Sequence, residues 1–489
     1  MINRSSLCAA AALGLCLVSA VAEELASLPL DECRIADVSG TRTIAARCGR
    51  FEVAEDPTDP EGKAIDLFVA VIPALKSRAE RDPFTVIAGG PGQASSEFYV
   101  SYQSLFARIQ RNHDILLVDQ RGTGQSNPLD CKEPDALSAS DWTPESIRAN
   151  TLECLDQLKG DPRFYTTSIA VQDLDAVREA LGYGRLNIYG VSYGTRVGLH
   201  YLRRYPGLVR TLVLDGVVPA DLALGPGIAL VAQDALDMVF ERCEASETCS
   251  ESFPGLRETF AALHARLSEA SVEVALPDPF SAEAASLEFG AMELAGAIRL
   301  LSYSPDTVSL IPLLVSQAFD GNYVPLAAQA MMVSRGLSEQ LSHGMHNAVV
   351  CTEDVPFFIA EQLDEKALRR TYIGTLQVDA LREICQVWPE GVRDEDFKTP
   401  VVSDAPVLLF SGSADPVTPP KYGDRAEASL SNARHIVIEG QGHAQVAVGC
   451  TPLIIEEFLE ASSVLDLDVS CLDRQQPAPF FTSFSGPPP

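Results

Sequence analysis

Short apolar runs alternate along the chain with stretches of helical periodicity. Phe84–Ala88, Asp114–Asp119, Leu186–Tyr189, Thr211–Asp215, Pro406–Phe410 and His435–Glu439 each read as a buried strand, several of them running straight into a glycine-containing turn. Thr195–Arg204, Leu230–Arg242 and Leu256–Leu267 carry the helical pattern. This alternation predicts a mainly parallel sheet with helices on both faces. Residues 48–75, polar and Pro-containing in the middle, read as an antiparallel hairpin ahead of it. The block 221–395 reads mostly as helix and strands resume after it, so it is expected to be an insertion between two parts of one sheet. The last fifteen or so residues are rich in Pro and Phe with few charges, and are expected to form a flexible tail. The division that follows is a leader at 1–22, a first core part at 23–220, a helical cap at 221–395, a second core part at 396–474 and a tail at 475–489.

The leader rests on its three-part form. Arg4 is followed by an apolar stretch from Leu7 to Ala20, then by the small residues of Ala20-Val21-Ala22 and the acidic pair Glu23-Glu24. That stretch is short and Ala-rich for a membrane span, and no other approaches about 18 uninterrupted apolar residues. A cleaved leader places the protein in the periplasm or outside the cell, with no membrane span once it is gone. Removing it leaves ten cysteines: Cys33, Cys48, Cys131, Cys154, Cys243, Cys249, Cys351, Cys385, Cys450 and Cys471. Disulfides are the default in an oxidising compartment. Sequence alone leaves the connectivity open, although sequence neighbours could close five short loops. No Cys-x-x-Cys occurs, and His343 and His346 lack a helical acidic partner, so no metal site is expected and both histidines read as surface residues. The 37 Lys+Arg against 67 Asp+Glu, a formal charge of −30, argue against nucleic acid as a partner.

The chemistry centres on Gly190-Val191-Ser192-Tyr193-Gly194, a G-x-S-x-G placed after a strand and before a helix. A serine exposed at a strand tip sits in a sharp turn, and small residues two positions to either side let the neighbouring backbones pass. Ser192 needs a base. His443 follows the last strand in Gly440-Gln441-Gly442-His443, where an imidazole can project back to the serine, whereas His435 and His200 read as structural. Asp415, in a loop ordered by Gly412 and Pro416, is the acid expected to orient His443. Asp215 also follows a strand and fits the same chain order. The order Ser192, Asp415, His443 is the one α/β-hydrolases use. The oxyanion donors are then the amides of Tyr193 and of Gly90 in Gly89-Gly90-Pro91-Gly92. No phosphate-cradling or zinc-protease motif appears, so no cofactor is expected.

Ala-Gly-Gly-Pro-Gly at 88–92, Asp-Gln-Arg-Gly-Thr-Gly-Gln-Ser at 119–126, Gly-Val-Ser-Tyr-Gly-Thr-Arg at 190–196 and Leu-Asp-Gly at 214–216 stand in register with the Asp415 and His443 loops. Over residues 45 to 460 this pattern resembles the exported prolyl/tripeptidyl aminopeptidase branch of the α/β-hydrolases, with Ala88 where relatives often have His. The resemblance implies an α/β-hydrolase fold with a helical cap and a serine peptidase acting on peptides with a free N-terminus. Recognition of the substrate ammonium calls for a carboxylate. Relatives carry an acid in a similar cap segment, which points to Glu353 in Val350-Cys351-Thr352-Glu353-Asp354 as the amine anchor. Asp119 and Arg121 are expected to organise loops, and Asp173 and Asp175 to be surface or capping residues. A carboxylesterase or lactone hydrolase on the same scaffold, and a non-catalytic exported binding protein, are the alternative readings.

Overall fold

The computed structural model describes residues 28–76, 80–131, 143–359 and 363–487; the leader lies outside them. The strands are β1 (Asp31–Ala36), β2 (Thr43–Ala54), β3 (Ala64–Ile72), β4 (Glu80–Ile87), β5 (His113–Val118), β6 (Leu186–Val191), β7 (Val209–Asp215), β8 (Val272–Pro277), β9 (Ala284–Phe289), β10 (Val407–Gly412) and β11 (Ala433–Ile438). Nine of them form one sheet in the order β1-β2-β3-β5-β4-β6-β7-β10-β11. From β5 to β11 every pairing is parallel, and β1, β2 and β3 extend the sheet as an antiparallel edge.

The central strands are apolar on both faces because both faces are covered. Every residue of β6 and β10 is buried. Leu186, Ile188, Leu212, Leu214, Val407 and Leu409 enter one core with Val171, Val197 and Tyr201. The alternate residues Tyr189, Val191, Val213, Leu408 and Phe410 enter the opposite core with Tyr99, Phe106, Ile455 and Phe458. Strand periodicity thus sends successive residues to opposite helical layers.

Between β7 and β10 the chain builds a largely helical region with its own apolar centre, including Leu236, Phe240, Leu263, Leu294, Ile298 and Leu314. It also contains the antiparallel hairpin β8–β9, which the mostly helical reading of this block overlooked. Its β8 alternates exposed and buried positions, Val274 and Leu276 facing inwards. The ten described cysteines pair as sequence neighbours, Cys33–Cys48, Cys131–Cys154, Cys243–Cys249, Cys351–Cys385 and Cys450–Cys471. Among the described residues no helix is long and apolar enough to cross a membrane.

Two expectations about charged and terminal residues need correction. Asp173 is not a surface residue: it is buried and takes a two-pronged ion pair from Arg121, at 2.6 and 2.7 Å. Arg121 also donates to the carbonyls of Glu55 and Phe164, so the loop after β5 is stitched to the helix Thr167–Ala180. Asp175 is likewise engaged, accepting from Arg178 and from the Tyr201 hydroxyl. The tail does not hang free. Pro477 lies against Gly440, Phe480 is 6% exposed within the apolar centre of the helical region, and the Arg242 guanidinium sits 4.0 Å above its ring. The Phe481 amide donates to the Ser309 carbonyl at 3.0 Å. Two aromatic side chains find an apolar seat there, which a count of charges in the tail does not register.

Candidate active site

The site forms at the carboxyl ends of β6, β7, β10 and β11, where parallel α/β sheets offer a crevice. Ser192 ends β6 and begins the helix Tyr193–Arg204 with φ 56° and ψ −123°, a conformation that a non-glycine residue adopts only under strain. Side chains at Gly190 and Gly194 would collide with backbone, Gly190 with the carbonyl of Gly194 and Gly194 with that of Ile87. The turn is therefore possible only with the glycines the motif supplies. Ser192 itself remains partly exposed.

The glycine loop lies beside it, for a Cβ placed on Gly89 would stand 3.1 Å from the Cβ of Ser192. Gly90 and Gly92 both have positive φ, 107° and 110°, and the Gly90–Pro91 bond is cis. His346 holds this loop from the inserted region, its Nδ1 lying 3.2 Å from the Pro91 carbonyl. Burial pushes His346 down to about 4, so it stays neutral and donates that bond, contrary to its expected place on the surface. Tyr193 opens the helix, where backbone N–H groups have no intrahelical acceptor. Its phenol receives a bond from Gln120 Nε2 at 3.0 Å and pairs with Thr167 Oγ1 at 2.6 Å.

His443 and Asp415 meet as the chain order requires. His443 Nδ1 lies 2.8 Å from Asp415 Oδ2, and the two side chains are 9% and 0% exposed. Asp415 Oδ1 accepts the Val417 and Thr418 amides at 2.8 Å each, and Oδ2 also accepts the Thr418 hydroxyl. Burial alone would raise Asp415, but the facing imidazole and these donors hold it below the usual carboxylate range. Burial alone would lower His443, and the Asp415 carboxylate outweighs it, leaving the imidazole above its ordinary value. The His443 amide donates to the Tyr303 carbonyl at 2.7 Å, and the Tyr303 ring packs edge-on at 5.2 Å between centroids. Gly216 approaches from β7, where a Cβ would come 3.0 Å from His443 Cε1.

Asp215 does not take the orienting role that its position allowed. Its buried carboxylate accepts the Gln445 amide at 2.7 and 2.8 Å, the Val446 amide at 2.9 Å and the Tyr189 hydroxyl at 2.7 Å. Burial pushes it up to about 6 despite those donors. Thr418 and Tyr303 were absent from the sequence reading as site residues. Only Thr418 had a local signal, as a hydroxyl three residues beyond Asp415.

Glu353 is misplaced as an amine anchor. It is 0% exposed, and its two oxygens accept the Thr167 amide at 2.7 Å and the Thr167 hydroxyl at 2.9 Å, with Arg196 at 3.6 Å. Burial raises its pKa in spite of Arg196. An enclosed carboxylate already satisfied by protein donors has no face left for a substrate ammonium. Asp354 beside it pairs with Arg196 at 2.7 and 3.0 Å and with Lys398 at 3.4 Å. His200 and His435 are structural, bonded to Asp394 at 2.9 Å and to Asp424 and Ser411 at 2.9 Å each. Asp424, Glu427 and His435 set their ligand atoms within 4.8 Å of one another, but Glu427 already accepts the His435 amide at 2.8 Å.

A partly exposed serine in a strained strand-to-helix turn, with a carboxylate-held imidazole across the strand ends, defines a serine hydrolase. Residues 82–272 match the alpha/beta hydrolase fold family, and residues 370–471 match the family described as TAP-like protein. Serine protease Hip1 of Mycobacterium tuberculosis (strain ATCC 25618 / H37Rv) is 25% identical over 454 residues, covering 85% of this chain and 84% of that protein. Putative hydrolase YuaR of Escherichia coli (strain K12) is 22% identical over 425 residues, covering 83% and 82%. Tripeptidyl aminopeptidase of Streptomyces coelicolor is 32% identical over 189 residues, 35% of each chain. The chain thus has the α/β-hydrolase fold, its first part matching that fold family and its C-terminal part the TAP-like family.

Proposed function

We propose that the protein is an exported serine aminopeptidase that releases single residues or short peptides from free N-termini. The observation that carries the reading is the 2.8 Å pairing of His443 with Asp415, beside the same strand ends that expose Ser192. Ser192 Oγ attacks the scissile carbonyl while His443 takes its proton and Asp415 holds the imidazole in the tautomer this requires. The amides of Tyr193 and Gly90 receive the developing oxyanion. His443 then protonates the departing amine, and a water deprotonated by the same imidazole releases the acyl group from Ser192. Residues 221–395 act as a cap that limits access to short or flexible chain ends.

Support for a peptidase comes from the relatives named serine protease, tripeptidyl aminopeptidase and proline iminopeptidase, and from the TAP-like part at 370–471. Support for export comes from the five disulfides, which persist in oxidising compartments. The test is cleavage of matched peptides with free and acetylated N-termini, read by mass spectrometry beside Ser192→Ala and a fluorophosphonate probe. Turnover of the free-amine peptide alone, lost with probe labelling in Ser192→Ala, is the expected result. Equal rates on both peptides would replace the aminopeptidase reading with a general esterase or amidase, and wild-type turnover by Ser192→Ala would remove the nucleophile.

A further inference from the structure

The helix Ala291–Leu301 carries a guanidinium, that of Arg299, that no carboxylate meets among the described residues. In a chain with 67 acidic residues, the buried arginines Arg121 and Arg196 are paired with Asp173 and Asp354. Among the described residues, no carboxylate lies within ion-pair distance of Arg299. Its Nη2 donates to the Tyr303 hydroxyl at 3.3 Å, its guanidinium carbon stands 5.8 Å from the Tyr303 ring centroid, and its Nε is buried without a partner. Arg242 also has a buried unpartnered nitrogen, but Phe480 covers it.

The place of Arg299 separates it from an accident of packing. Tyr303, which it reaches, is the residue whose carbonyl binds the His443 amide and whose ring packs against the imidazole. Arg299 lies within electrostatic reach of His443 itself and of Tyr372. Among the described residues the Tyr372 hydroxyl also finds no partner; the residue is only 6% exposed, and burial keeps it protonated. Buried donors are normally satisfied, so a guanidinium N–H and a phenol O–H left without partners call for an acceptor, and a guanidinium favours an anionic one. Guanidinium groups suit carboxylates, which they bind through parallel hydrogen bonds. A protein of charge −30 would otherwise repel that end of a peptide.

We propose that Arg299, assisted by Tyr372, is a subsite for a substrate carboxylate beside the reacting centre. The proposal rests on the serine peptidase reading of Ser192 and His443. Because His443 hands its proton to the leaving group, a carboxylate held behind it belongs to the departing part of the substrate. That carboxylate is either the free C-terminus of a short peptide or an acidic side chain.

Calorimetric binding to the full-length Ser192→Ala protein tests this without turnover. One pair of probes is tetra-alanine as free acid and as C-terminal amide; a second pair is amidated at the C-terminus and differs by Glu against Gln at the third residue. At least one acid should bind about tenfold more tightly than its neutral partner, the first pair marking a terminal carboxylate and the second a side chain. Arg299→Gln should erase that ratio and Arg299→Lys should keep part of it. Ratios near one in both pairs, no binding by any of the four, or a ratio that survives Arg299→Gln would each overturn the proposal. Wild-type turnover that depends on Ser192 alongside any of those results would overturn the subsite alone and leave the peptidase reading intact.

Discussion

The backbone N–H of Ser192 donates to the carbonyl of Asp215 at 2.8 Å, tying the tip of the nucleophile turn to the end of β7. The carboxylate of the same residue accepts the amides of Gln445 and Val446, just beyond His443. One buried residue therefore ties both the turn at Ser192 and the loop just beyond His443 to the end of β7. Asp215→Asn keeps the shape but turns a donor towards backbone amides. It should lower kcat by about tenfold to a hundredfold with KM little changed, since small misplacements of reacting groups are costly. It should also cost about 1–3 kcal/mol in urea denaturation. An unaltered kcat with an unaltered midpoint would remove the positioning role.

The pH profile follows from the imidazole. Burial alone would lower His443, but Asp415 outweighs it, so the acid limb of kcat/KM should lie above the ordinary histidine value of about 6.5. Asp415→Asn should move that limb down and reduce kcat by roughly 10³–10⁴. The signs for stability are opposite for the two partners. The raised His443 contributes stability below its unfolded pKa that is lost as pH rises through the folded value, while the lowered Asp415 contributes above its unfolded pKa and is lost on acidification. An acid limb at the same pH in wild type and Asp415→Asn would contradict this assignment.

The tail should behave as part of the core. Phe480→Ala removes a buried ring from the helical region and from beneath Arg242, and should cost about 3 kcal/mol in chemical denaturation. Deletion of 475–489 should cost at least as much. Unchanged unfolding midpoints in both variants would return the tail to the status of a free end.

The disulfides should differ in value with the length of chain they close. Cys351–Cys385 spans 34 residues and Cys243–Cys249 spans 6. Chain-entropy reasoning gives about 3.8 kcal/mol for the first and about 2.2 kcal/mol for the second. Paired Cys→Ser replacements compared by equilibrium unfolding check the order, and a larger loss from the shorter loop would show that closure entropy is not the governing effect.

The turn at Ser192 and the parallel strands around it were legible because their signals are local. A glycine two places either side of Ser192 is a steric demand of the turn, and the apolar runs of β4, β6, β7 and β10 are demands of a sheet buried on both faces. The β8–β9 hairpin was missed although its alternation was present, since it is short and surrounded by helical patterns. The burial of Asp173 and Glu353 had no local signal at all: whether an acidic residue faces water depends on a partner far away in sequence, Arg121 for one and Thr167 with Arg196 for the other.

By itself, then, the sequence determined the parallel part of the sheet, the strained turn at Ser192 and the chain order of Ser192, Asp415 and His443, because backbone sterics and hydrophobic periodicity act over a few residues. Only the tertiary structure decided between Asp415 and Asp215 as the partner of His443. Asp215 ends one strand and Asp415 follows another, but the Asp415 carboxylate lies 2.8 Å from an imidazole 28 residues away, whereas the Asp215 carboxylate accepts backbone amides 230 and 231 residues away. It also decided that Glu353 is enclosed, that Phe480 is seated and that Arg299 meets no carboxylate among the described residues. Each of those outcomes is set by which groups long-range packing brings into contact, a relation no local stretch of residues contains.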